Sequence, residues 1–228
     1  MFINFKQHLK CLLLLLLLIV TSITAFSNNL PIQEFPAESN RDYFVLFLSG
    51  DGGWKAIDQS IATNLNNKKV PVLAINTMKY LWSEKTPLQI AKDLEWLMNN
   101  YMTKWRKNYV VVMGYSMGAE VLPFVLNQTN VFYINKIKDL ILIAPAQKAI
   151  FKIKMKNYLV DSNEGQEVLP ELKKLKITRK YCICDDNKYS LCKKELNGTI
   201  EYDVLKGGHH FDGDYSALNV LLNKRLSL

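Results

Sequence analysis

The sequence predicts an α/β fold: a mainly parallel central sheet flanked by helices, compact and without a large lid domain. Three observations carry that expectation. Tyr43 to Leu48, Val70 to Ile75, Tyr109 to Met113 and Leu140 to Ala144 are almost wholly apolar runs of strand length. Strands buried on both faces lose the polar alternation of a half-exposed sheet, and the intervals between these runs leave room for crossover helices. In one interval Leu88, Ala91, Leu94, Leu97, Met98 and Tyr101 recur at helical spacing and give a sheet-facing side.

The chain opens on Lys6 and Lys10, an unbroken apolar run from Cys11 to Val20, and small residues at Ala25 and Ser27. That pattern reads as a signal peptide over residues 1–27, cleaved after Ser27; the alternative is an uncleaved N-terminal anchor. The run is shorter than the roughly 20 residues of a comfortable membrane span. Cys11 starts the leucine run and follows no small-residue tail, which does not fit a lipid-attached cysteine. Residues 28–228 then form a single domain. Loss of two lysines lowers the formal charge from +8 to +6, a balance that suits solubility or attraction to an anionic membrane surface. The lysines are scattered and no basic helix or aromatic stacking platform accompanies them, so nucleic acid is not an expected partner.

After the first long strand, Asp58 to Leu65 reads as a helix. Thr86-Pro87 opens the next, with Thr as cap and Pro in the first turn. Phe151, Ile153 and Met155 alternate with Lys152, Lys154 and Lys156, as in an edge strand whose lysine face blocks edge pairing or meets anionic headgroups. Ile177 to Cys184 and Ile200 to Leu205 supply two further strands, and Tyr215 to Leu222 a closing helix. Of the cysteines beyond residue 27, Cys182 and Cys184 are expected to project from opposite faces of one strand. The favoured disulfide is Cys184–Cys192, closing the loop beyond that strand, with the odd cysteine buried in the sheet. A zinc site needs a fourth ligand, and the histidines in this part of the chain are His209 and His210. Neither a metal nor an organic cofactor is expected.

The sharpest chemical signal is Gly114-Tyr115-Ser116-Met117-Gly118, between an apolar strand and an apolar helical segment. A serine in a tight strand-to-helix turn projects its hydroxyl from the sheet, and the glycines leave room for the bent backbone. This marks an α/β-hydrolase with Ser116 as nucleophile; the bland alternative is a helix-capping serine. A serine needs a base, and Gly207-Gly208-His209-His210 follows the last strand. His209 is the expected general base and His210 its rival. The acid should lie between nucleophile and histidine in the chain, which points to Asp186, with Asp185 as the alternative. Asp212 and Asp214 are left for substrate binding or capping. The early loop Ser49-Gly50-Asp51-Gly52-Gly53-Trp54 lacks the lysine and Ser or Thr of a nucleotide loop. Its natural role is an oxyanion hole from the backbone amides of Asp51 and Met117. The Asp51 side chain would oppose an oxyanion if aimed inward, so it points away or recognises a positive part of the substrate.

Four blocks in order carry a resemblance: residues 49–54; Tyr80-Leu81-Trp82-Ser83-Glu84-Lys85-Thr86-Pro87; residues 114–123; and residues 207–215. Together they resemble bacterial virulence proteins of the VirJ type, related to the C-terminal domain of AcvB, over about Tyr43 to Tyr215. The resemblance implies a periplasmic serine esterase that cleaves the aminoacyl ester of aminoacyl-phosphatidylglycerol, notably the lysyl form. Its partners are then anionic aminoacylated phospholipid headgroups at the membrane surface. The family's association with type IV secretion also implies a secretion-system protein partner, or an indirect effect of lipid composition. Within these blocks Gly52, Trp54, Trp82, Glu84 and Tyr115 are assigned to substrate binding, and Asp51 or Glu84 to a cationic lysyl amine. Where relatives tend to have glycine after the penultimate strand, this chain has Cys184 before Asp185-Asp186-Asn187, and Cys192 matches a family cysteine. The alternatives are an esterase on another small ester and a non-catalytic or dual-role interaction protein.

Overall fold

The computed structural model describes residues 30–152, 165–194, 196 and 198–228. The expected signal peptide and the lysine-alternating stretch from Ile153 onward lie outside the described residues. The main sheet is built from β1 (Ile32–Phe35), β2 (Tyr43–Leu48), β3 (Val72–Ile75), β4 (Tyr109–Tyr115), β5 (Ile137–Ile143), β8 (Lys180–Asp185) and β9 (Glu201–Leu205). Their order is β1-β3-β2-β4-β5-β8-β9. All neighbours run parallel except β1, which pairs antiparallel with β3. Two short strands, β6 (Lys148–Ala149) and β7 (Gln166–Glu167), form a separate antiparallel pair.

The helices are α1 (Ala56–Asn67), α2 (Thr77–Tyr80), α3 (Pro87–Trp105), α4 (Met117–Leu126), α5 (Val131–Ile134), α6 (Val168–Lys174) and α7 (Ser216–Leu226). α1 packs with α7, whereas α3 and α6 each pack with α4. The parity of the strands sorts their side chains. Val45, Phe47, Val111, Met113, Tyr115, Tyr181 and Ile183 join Ile57, Ile61, Leu218 and Leu222 in one buried cluster on the α1/α7 side. Every residue of β2 is buried, which accounts for its unbroken apolar run. α3 starts where expected: Thr86 and Gln89 make a reciprocal capping box ahead of Pro87. Among the described residues, no helix is long and apolar enough to cross a membrane.

Cys184 and Cys192 form a disulfide, but the reason given for that pairing is corrected. Residues two apart in a strand share a face, and the sulfurs of Cys182 and Cys184 lie 3.1 Å apart. Cys182 remains a free, buried thiol. The three sulfurs cluster within 4.8 Å, yet with two of them bonded to each other one thiol is left, too few ligands for a metal.

Candidate active site

β4 is apolar up to Tyr115 and then breaks sharply. Ser116 has φ 52° and ψ −124°, a backbone state that costs a non-glycine residue about 1–3 kcal/mol. α4 begins at the next residue. Two glycines make the turn sterically possible: a Cβ on Gly114 would meet Ala119 N at 2.5 Å, and one on Gly118 would meet Leu48 O at 2.3 Å. The helix therefore comes so close to the end of β2 that only hydrogen fits at position 118. Gly50 brings the early loop against the same turn, since a Cβ there would lie 3.4 Å from Ser116 Cβ. Ser49 ties that loop to the start of α2, its Oγ accepting from Thr77 N at 3.0 Å.

The histidine arrives on the tight turn Gly208–Gly213 after β9. Gly207, Phe211 and Asp212 there all have positive φ, and buried Phe211 anchors the turn in the α1/α7-side core. His209 Nε2 lies 2.8 Å from Ser116 Oγ, and His209 Nδ1 lies 2.9 Å from Asp185 Oδ2. An ionised carboxylate only accepts, so Nδ1 carries the proton and Nε2 is free to accept from the serine hydroxyl. Burial pulls the His209 pKa down, but the hydrogen bond and charge of Asp185, followed by the charges of Glu120 and Asp51, leave it above its ordinary value. For Asp185, burial works upward, while His209 and Ser190 outweigh it and leave the carboxyl below the usual range.

Asp186, the expected acid, is corrected by this geometry. Asp185 ends β8 on the face shared by Tyr181 and Ile183, the side on which Phe211 packs. The next residue turns elsewhere, and Asp186 Oδ1 accepts from Gly208 N at 2.8 Å, bracing the histidine turn from its backbone. His210 does not reach Ser116 in this arrangement; its Nδ1 lies 2.9 Å from the Tyr115 hydroxyl. That hydroxyl also donates to His209 O at 3.0 Å, and the Tyr115 ring stacks on His209 with centroids 5.5 Å apart. Buried Tyr115 therefore supports the histidine turn, and its expected substrate-binding role is corrected.

Trp54 is half-buried. Its ring stacks on Phe35 and meets Phe47 edge-on, and its Nε1 donates to Gln59 Oε1, so it closes the core under β1. Gly52 lies in the turn closed by Gly53 N donating to Gly50 O at 3.3 Å. Trp82 and Glu84 stand on an exposed loop, with Glu84 paired to Lys152 at 3.7 Å; neither belongs to the hydrogen-bonded chain. Met117 is the first residue of α4, where a backbone amide has no intrahelical acceptor. Asp51 is half-buried, and its charge raises the pKa of His209, Tyr115 and Glu120. Two buried residues were not singled out in the sequence. Glu120 carries a readable signal, lying four residues after Ser116 on a helix; Ser190 carries none.

The family model described as bacterial virulence protein (VirJ) matches residues 42–227. Among solved structures, MenH from S. aureus superposes with a TM-score of 0.60 at 12% identity, covering 86% of this chain and 97% of that one. Est1E from Butyrivibrio proteoclasticus gives 0.58 at 12% identity, over 86% and 93%. An alpha-beta serine hydrolase homologue from Coxiella burnetii gives 0.58 at 14%, over 86% and 90%. The fold is that of the α/β hydrolases. Comparison with curated proteins gave no match.

Proposed function

The chain belongs to the VirJ family of bacterial virulence proteins, and from that premise we propose that it is a serine esterase cleaving the aminoacyl ester of aminoacyl-phosphatidylglycerol, the lysyl lipid above all. The observation that carries the chemistry is the continuous chain from Asp185 Oδ2 through His209 to Ser116 Oγ, with contacts of 2.9 and 2.8 Å. In the proposed reaction His209 Nε2 takes the Ser116 proton as Oγ attacks the aminoacyl carbonyl. The backbone amides of Met117 and Asp51 receive the oxyanion. The imidazolium returns its proton to the departing glycerol oxygen of the lipid, leaving an aminoacyl-serine. Water, deprotonated by His209, then attacks that ester; the carboxylic acid departs and the serine recovers its proton.

The leucine-rich start of the chain supports export, and the family resemblance supports the periplasm as the compartment. The net positive charge suits an anionic lipid surface. A secretion-system protein is proposed as a further partner from the family's association with virulence. The deciding experiment uses protein lacking residues 1–27 on vesicles containing lysyl-phosphatidylglycerol, beside Ser116→Ala. Release of lysine by the parent, reduced at least about a thousandfold in the variant, is the expected result. Equal release by both would remove Ser116 as nucleophile, and no release by either would remove the lipid as substrate.

A further inference from the structure

Glu120 lies one helical turn beyond the nucleophile and takes no part in the acyl transfer itself. Its amide donates to Ser116 O at 2.9 Å. Side chains on a helix lean toward its N-terminus, which directs this carboxylate back toward the serine turn. Ala146 N, in the segment after β5, donates to Oε1 at 3.2 Å. The other oxygen, Oε2, accepts no hydrogen bond from a described residue and is not sealed from solvent. The residue is only 8% exposed. Its carboxyl is raised to about 7, with burial the largest cause; the Ala146 bond and His209 oppose the rise, and Asp51 and Asp185 add to it.

Three carboxylates therefore act on one imidazole: Asp185, Glu120 and Asp51. Asp185 has its role in orienting the ring. The other two oppose any negative charge that develops at Ser116, and a carboxylate held largely out of water is unfavourable in itself. Their charge becomes useful when the substrate brings a cation beside the reacting carbonyl. An aminoacyl ester does so, because its α-ammonium sits one carbon from the carbon under attack.

We infer that Glu120, assisted by Asp51, binds the α-ammonium of the acyl group and so selects aminoacyl esters over simple acyl esters. The inference rests on the esterase reading above and names the residue that reads the acyl side of the bond. It also moves cation recognition away from Glu84, which is exposed and paired with Lys152.

The test uses alanyl and propionyl esters of one alcohol, which differ only in the amine, with the parent protein and Glu120→Gln. A glutamine keeps an acceptor for Ala146 N. The parent should favour the alanyl ester, and the variant should lose roughly 10- to 100-fold in kcat/KM on it, the range of one charge-assisted hydrogen bond. On the propionyl ester the variant should lose nothing and gain in rate, since a charge that opposes the oxyanion has been removed. Equal losses on both esters, with Ser116 still labelled by a fluorophosphonate at the parent rate, would overturn the inference. The parent alone gives a second test if the variant misfolds: an N-acetylalanyl ester, stripped of charge, should fall to the propionyl rate. Cleavage as fast as the alanyl ester would overturn the inference. Preference for soluble alanyl ester without cleavage of lysyl-phosphatidylglycerol would sink the lipid reading and leave the subsite standing; lipid cleavage without amine preference would do the reverse.

Discussion

Asp185 and Asp186 have the same chemistry and adjacent positions, and one step of strand parity separates their work. Asp185→Asn would supply an amide where Nδ1–H needs an acceptor, so kcat/KM should fall roughly 10³- to 10⁴-fold. Asp186→Asn keeps an oxygen for Gly208 N and should lose less than about tenfold; a reversal of the two in ester assays would refute the assignment. The same pair fixes a pH effect. Because Asp185 raises the His209 pKa above 6.5 against the opposing effect of burial, the base is protonated and idle below that raised value. On an amine-free ester the acid limb of kcat/KM should therefore lie above pH 6.5. Any activity left in Asp185→Asn, where only the charges of Glu120 and Asp51 still oppose burial, should show its limb at lower pH than the parent. That Ser116 and His209 would meet was legible from the glycines and the chain order. The carboxylate that reaches His209 was missed by one residue because the strand's end is not written in its composition. Tyr115 looks like a binding surface because it is an aromatic beside a motif, whereas it is buried and holds the histidine turn.

Elements place these residues through close approach. α4 leaves no room for a side chain at Gly118, so Gly118→Ala must push the helix off β2. A loss of about 3 kcal/mol is expected, the upper part of the usual overpacking range. Chemical denaturation of Ser116→Ala and of the double variant measures it without catalysis intervening; a cost below about 1 kcal/mol would mean that the contact relaxes freely. Tyr115 fastens the histidine turn to β4, and Tyr115→Phe removes its hydroxyl while keeping the stack on His209. Turnover should drop about tenfold with KM little changed, since the loosened imidazole affects the attack and not the binding surface. The long buried strands were readable because full burial writes an unbroken apolar run, as in β2. β1, α2 and α6 were not, since they are short and carry no sustained period; β1 is only partly buried along the outer edge of the sheet. The cysteine pairing was anticipated through an inverted parity argument, and the 3.1 Å gap between Cys182 and Cys184 sulfurs restores the proper rule.

Across the whole molecule, the acids gathered at the site set function against stability. A carboxyl with an ordinary pKa of 4.5 that is held at about 7 in the fold binds its proton more tightly when folded than when unfolded. Its contribution is therefore most favourable below pH 4.5 and is lost as pH rises through 7. A shift of that size corresponds to about 3 kcal/mol at the alkaline end, a large share of an ordinary domain's stability. Glu120→Gln removes the titration while keeping the bond from Ala146 N. The variant should consequently unfold at a higher temperature than the parent at pH 8, with the gap narrowing as pH is lowered toward 5. The difference between the two melting curves then reports the Glu120 carboxylate together with its effect on His209. A gap that is absent at pH 8, or that widens on acidification, would show that the carboxylate is already compensated within the fold. It would then have no reason to await a cation from the substrate.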